Sequence, residues 1–184
     1  NPSLEQQNGA LPASWAKGRW GSNTTVFRYP VAGIDGAKAA EVEMTQRTSG
    51  DAKWYFADVP VQGGATYAFK DMYQSTVATH VTLQYRHASG ALSWADIGAP
   101  QASADWQAFE KTFTIPVGVT HLTVFHLIKA VGRLRIDAFS LRHQDVPSTT
   151  FEEGFVSLHF DDGWKTAYQN ALPILEDAGL KSTQ

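Results

Sequence analysis

The sequence predicts a mainly β chain, an antiparallel jelly-roll β-sandwich followed by an incomplete β/α segment. Three observations lead there. From Asn1 to about His143, short apolar stretches alternate with turn signals and no convincing helix intervenes. In the stretch from Val81 to Arg86, Val81, Leu83 and Tyr85 fall on one face and Thr82, Gln84 and Arg86 on the other, the mark of a half-buried strand. After Thr150 the grammar changes to one continuous apolar-rich run and then to helical spacing.

Eight strands are expected, at 26–29, 39–44, 54–59, 65–72, 80–86, 108–115, 121–129 and 133–141. Turns separate them at Gly33-Ile34-Asp35-Gly36, Ser49-Gly50-Asp51, Gln62-Gly63-Gly64, Ala88-Ser89-Gly90 and Pro116-Val117-Gly118. The sandwich therefore spans 1–143. A polar linker with one proline, Pro147, follows at 144–153. The last segment, 154–184, opens with a buried type of strand at 154–160. Ala167, Ala171, Ile174, Leu175 and Ala178 then follow helical spacing, with Gly179 placed to cap the helix and Pro173 to bend or restart it.

Composition narrows the function. The 184 residues are 43% hydrophobic, enough for a real core, and the net charge of -3 argues against a nucleic-acid partner, which would favour a basic patch. No run of about 18 apolar residues offers a membrane span. The absence of cysteine excludes disulfides and thiolate metal sites. The first residues are polar and give no sign of a leader, although a removed one would leave no trace. Six tryptophans, sparse lysine and abundant Thr, Ser, Gln and Gly suit a secreted, cell-surface or periplasmic β-protein that stacks against sugars. The expected partner is a polysaccharide, with no nucleic acid and no membrane.

The most chemically pointed stretch runs from Val156 to Trp164. An apolar run ends in two adjacent carboxylates, Asp161 and Asp162, followed by Gly163. In α/β domains, polar residues at the carboxyl end of a strand are where chemistry sits. Paired acids there can divide the work, one holding a metal and one moving a proton. The segment Ser157-Leu158-His159-Phe160-Asp161-Asp162-Gly163, the helix with Leu172-Pro173-Ile174-Leu175 and the step Gly179-Leu180-Lys181-Ser182-Thr183 together resemble the opening of NodB-type polysaccharide deacetylases. That resemblance implies metal-dependent hydrolysis of an N- or O-acetyl group on a glycan. Asp161 would be the general base and Asp162 a ligand of a divalent metal, usually zinc in that family's complete enzymes.

Two departures limit the expectation. His159 stands where the family has Thr or Ser, and reads as a packed histidine or one supporting the site. The six histidines, at 80, 87, 121, 126, 143 and 159, do not form the His-(Ser/Thr)-x-x-His motif that completes the metal site. The chain reads as the N-terminal portion of a secreted deacetylase, itself inactive. Its tail is expected to pack on the sandwich or to pair or swap with another chain.

Residues 1–143 resemble jelly-roll carbohydrate-binding modules, the group that includes xylan- and glucan-binding modules. The likeness is carried by Asn1-Pro2-Ser3-Leu4-Glu5, Leu11-Pro12-Ala13-Ser14-Trp15, Asp35-Gly36-Ala37-Lys38, Gly64-Ala65-Thr66-Tyr67-Ala68-Phe69, Asp105-Trp106 and Arg135-Ile136-Asp137-Ala138-Phe139-Ser140-Leu141. It implies a structural calcium held by Glu5 and Asp137, with backbone carbonyls completing the oxygen set. Trp15, Tyr67, Trp106 and Phe139 are expected in the core. Trp20, Trp54, Tyr73, Gln84, Arg86 and Trp94 are the candidates for sugar contact, by stacking and directed hydrogen bonds. His121 and His126 lie on opposite strand faces and share no metal. The alternative is a non-catalytic sandwich that binds sugar, or only packs, with a vestigial tail.

Overall fold

The computed structural model describes residues 1–144, 165 and 167–178. The expected strand at 154–160, His159, Asp161, Asp162 and the closing Gly179 lie outside the described residues. Two compact units divide the chain, Asn1–Val146 and Pro147–Gln184.

The first unit is all β. Its strands are β1 Gln7–Asn8, β2 Leu11–Pro12, β3 Trp15–Trp20, β4 Asn23–Ala32, β5 Lys38–Arg47, β6 Asp51–Phe56, β7 Val59–Pro60, β8 Thr66–Ser75, β9 Thr79–His87, β10 Leu92–Gly98, β11 Ser103–Thr114, β12 Val119–Ile128 and β13 Gly132–Gln144. One sheet runs β10-β9-β12-β6-β3, with β7 also on β12; the other runs β11-β8-β13-β5-β4. Every pairing is antiparallel, including the small β1–β2 ribbon. All eight expected strands appear. The stretch 54–59 divides between β6 and β7, and β13 continues through Gln144. β3 and β10 were not among those expected, and they form the two edges of the first sheet.

Alternation makes the core. Val81, Leu83 and Tyr85 are buried on β9, and Val42, Met44, Phe69, Leu134 and Ile136 face them from the other sheet. Trp15 and Phe139 are buried as expected, their rings 4.6 Å apart and edge to face. Tyr67 and Trp106 are only half-buried.

One polar network bridges the sheets inside this apolar layer. His126 Nδ1 lies 2.6 Å from Asp71 Oδ2, and its Nε2 lies 2.8 Å from Thr79 Oγ1. All three residues are fully buried. Asp71 comes from β8 in one sheet, His126 and Thr79 from β12 and β9 in the other.

In the second unit a π-helical turn, Ala167–Ala171, runs into α1, Leu172–Asp177. Pro173 accounts for the irregularity. A proline ring crowds the carbonyl four residues earlier and has no N–H to give it, so the preceding turn widens instead of continuing as α.

Candidate functional site

The outer face of the β10-β9-β12-β6-β3 sheet carries a groove of about 610 Å³. Strand register builds it. Trp94 pairs with Gln84, which pairs with Thr123; Asp96 pairs with Thr82, which pairs with Phe125. Leu127 faces Lys53, and Lys53 faces Gly18. Trp20 faces Asp51, one residue beyond the Ala52–Ile128 row. Cross-strand partners share a face, so these residues line one surface.

Its floor is aromatic and charged. Tyr55 and Phe125 meet edge to face at 5.4 Å. The Lys53 ammonium sits 4.7 Å from the centre of the Phe125 ring and 2.6 Å from Asp51 Oδ1. A Cβ on Gly18 would come within 3.0 Å of Lys53 Cε and 3.1 Å of Tyr55 Cε1, so glycine there leaves room for both side chains. The Thr82 hydroxyl donates to Asp96 Oδ1 at 2.6 Å.

The two edge strands supply the walls. Trp20 is 68% exposed and Trp94 58% exposed, unusual for so large an apolar side chain. Both line the groove. They are separated by four strand spacings, about 19 Å at roughly 4.8 Å each. Along the strands their rows lie six residues apart, about 20 Å at roughly 3.4 Å per residue. The groove thus crosses the sheet diagonally, with a flat ring toward each end and hydrogen-bonding groups between them.

Of the sequence candidates, Trp20, Gln84 and Trp94 come together here. Arg86 lies beyond Gln84 on the same strand, and its Nε binds Asp58 instead. Two candidates are corrected. Trp54 is 1% exposed: it faces the core, packs edge to face on Phe27 at 5.5 Å, and its indole N–H donates to the Glu41 carbonyl at 2.9 Å. Tyr73 is buried beside His126, donates its hydroxyl to the Gln101 carbonyl, and is held above its ordinary pKa by burial. Neither reaches a ligand on the outer face. Tyr55 and Phe125 were missed, although strand alternation places Tyr55 opposite Trp54. His126 faces the core and His121 lies at odd spacing from it, as expected.

The expected calcium residues embrace a different feature, the turn before β5. Glu5 Oε1 accepts from the backbone N–H of Ala37 and Lys38, at 2.8 and 2.6 Å. Asp137 Oδ2 accepts from Ile34 and Asp35, at 2.8 and 2.9 Å. Asp137 is fully buried, and that burial raises its pKa; among the described residues its hydrogen-bond partners are all backbone N–H groups. Glu5 Oε2 takes no hydrogen bond from a described residue. Both carboxylates thus spend oxygens on backbone N–H donors of one turn, which they tie to the N-terminal segment and to β13. Among the described residues no group of three or more His, Cys, Asp or Glu is placed to hold a metal ion.

No family profile matches the chain, and no curated protein matches it. Solved structures do. The CBM22-1 xylan-binding domain from Paenibacillus barcinonensis aligns with a TM-score of 0.57 at 14% identity, over 77% of this chain and 90% of that domain. The family 11 carbohydrate-binding module of a cellulosomal cellulase from Clostridium thermocellum aligns with a TM-score of 0.53 at 14% identity, over 78% and 92%. The enzymatically active domain of tailspike protein 4 of bacteriophage CBA120 reaches 0.58 at 12% identity over 72% of this chain, which spans only 20% of that domain. The sandwich has the jelly-roll fold of carbohydrate-binding modules.

Proposed function

We propose that the sandwich binds a polysaccharide chain in the groove between Trp20 and Trp94. The observation that carries this reading is the pair of exposed indoles toward the ends of one polar groove. Sugars present C–H faces that stack on such rings, while Gln84, Thr82 and Asp96 offer directed hydrogen bonds between them. The fold likeness to a xylan-binding domain makes xylan the first ligand to test, with mixed-linkage glucan beside it. W20A and W94A are each expected to weaken binding at least about tenfold, the loss of roughly 1.4 kcal/mol. Affinity electrophoresis in polysaccharide gels measures this. Unchanged mobility shifts in both variants, with the fold intact by circular dichroism, would sink the groove reading.

Glu5 and Asp137 are proposed to hold a calcium ion, tying the N-terminal segment and β13 to the turn between them. Bound at a hundredfold excess over Kd, calcium would stabilise the sandwich by about 2.7 kcal/mol. A melting temperature rising with calcium, falling with EDTA, and insensitive to both in D137N is the expected result. Equal melting in calcium and EDTA counts against it.

For the tail we propose the deacetylase role that its sequence motif supports, with Asp161 as base and Asp162 as metal ligand in a protein carrying the whole catalytic domain. Such a protein would be secreted to reach its glycan. Acetyl release that depends on added zinc and disappears in D161N tests it; activity that survives that substitution removes the assignment.

A further inference from the structure

We infer that the groove prefers an acidic glycan, one bearing uronate carboxylates, and that Lys129 selects it. This rests on the reading of the groove as a polysaccharide site. The charges lining it are segregated. Toward Trp94 stands Asp96, its carboxylate engaged by the Thr82 hydroxyl. Toward Trp20 stand Arg19, Lys53 and Lys129 against Asp51 alone.

These three cations are not equivalent. Lys53 is neutralised by Asp51 at 2.6 Å and rests against the Phe125 ring. Arg19 donates one bond, Nη1 to the Asn23 carbonyl at 3.0 Å. Lys129 is half-buried and makes no hydrogen bond or ion pair with any described residue. An ammonium without an ion pair offers its whole charge to a ligand carboxylate, which Lys53, already paired with Asp51, does not.

Its position makes it selective. Lys129 follows Ile128, which faces Ala52, so it occupies the row of Asp51 and Trp20. Asp51 stands between them in that row and is tied to Lys53, so Lys129, two strand spacings or about 10 Å from Trp20, is left to meet a uronate on a sugar next to the one on the Trp20 ring. The field of Lys129 also reaches His80 on the adjacent strand, whose pKa is lowered by burial first and by Lys129 second. The protein as a whole carries -3, so the attraction is local. Screening within about 8 Å at physiological ionic strength makes it a contact effect and not long-range steering.

Glucuronoxylan and its carboxyl-reduced form share a backbone and differ in that carboxylate. The protein is expected to bind the acidic form about three- to fivefold more tightly at low salt. The preference should shrink as salt rises, vanish in K129Q and persist in K129R. Equal affinity for the two forms, or a preference that survives K129Q, overturns the inference while leaving the groove reading in place. Binding of neither form overturns both.

Discussion

Replacing His126 with alanine is expected to destabilise the sandwich by about 3–5 kcal/mol, from a buried carboxyl left without its hydrogen-bond partner and the cavity left by the ring. The reason lies in what remains behind. Asp71 is fully buried, its Oδ2 is held only by His126, and its Oδ1 has no partner among the described residues. Removing the imidazole leaves the Asp71 carboxyl without a donor among the described residues. The vacated ring also leaves a cavity beside Tyr73 and Phe109, whose rings lie 4.9 and 6.2 Å from it. T79V is the contrast. It removes the hydroxyl that bonds the other side of the ring and the Pro100 carbonyl, and should cost about 0.5–1.5 kcal/mol. Urea unfolding measures both. A loss below about 1 kcal/mol for H126A would mean that the network carries little of the contact between the sheets.

That network also marks where reading the sequence stops being enough. The eight expected strands were legible because Val, Leu and Tyr alternate with polar residues between Gly- and Asp-rich turns, as in β9. β3 and β10 were not legible for a physical reason. Each is an edge strand with one flank unpaired, and much of its length is exposed, so the apolar period is faint: Lys17, Gly18 and Arg19 interrupt one and Asp96 and Gly98 the other. Those same strands present Trp20 and Trp94. The walls of the groove thus came from the least readable part of the fold, although both indoles were recognisable as candidates. Trp54 and Tyr73 were misjudged because a position near a turn does not tell which face a side chain takes; pairing with His126 and Ile136 settles that. Lys129 carried no signal at all in one dimension. Its significance is that Lys53 found a carboxylate and Lys129 did not, which only cross-strand register decides.

Gly50→Ala is expected to lower stability by about 2–5 kcal/mol and to weaken polysaccharide binding with it, although residue 50 does not line the groove. Gly50 has φ +85°, and a Cβ there would stand 1.8 Å from the Trp20 carbonyl oxygen and 2.7 Å from Gly21 Cα. Neither neighbour is a flexible side-chain tip. The Trp20 carbonyl is itself held, accepting from Asn23 Nδ2 at 2.8 Å, and the Ser22 carbonyl accepts from Thr48 and Ser49 at 2.9 and 3.0 Å. Two turns are thereby locked together, and the added methyl must drive them apart. The backbone of Trp20 moves first, so the indole leaves its place at the end of the groove. Gly90→Ala separates the two causes. Gly90 has the same φ of +85° but nothing within 4 Å of a new Cβ. It should cost only the conformational part, about 1–2 kcal/mol, and leave binding unaltered. If both substitutions cost the same and G50A binds polysaccharide like the parent protein, the close approach at Gly50 does not position Trp20, and the placement of that wall must come from the β3–β6 pairing alone.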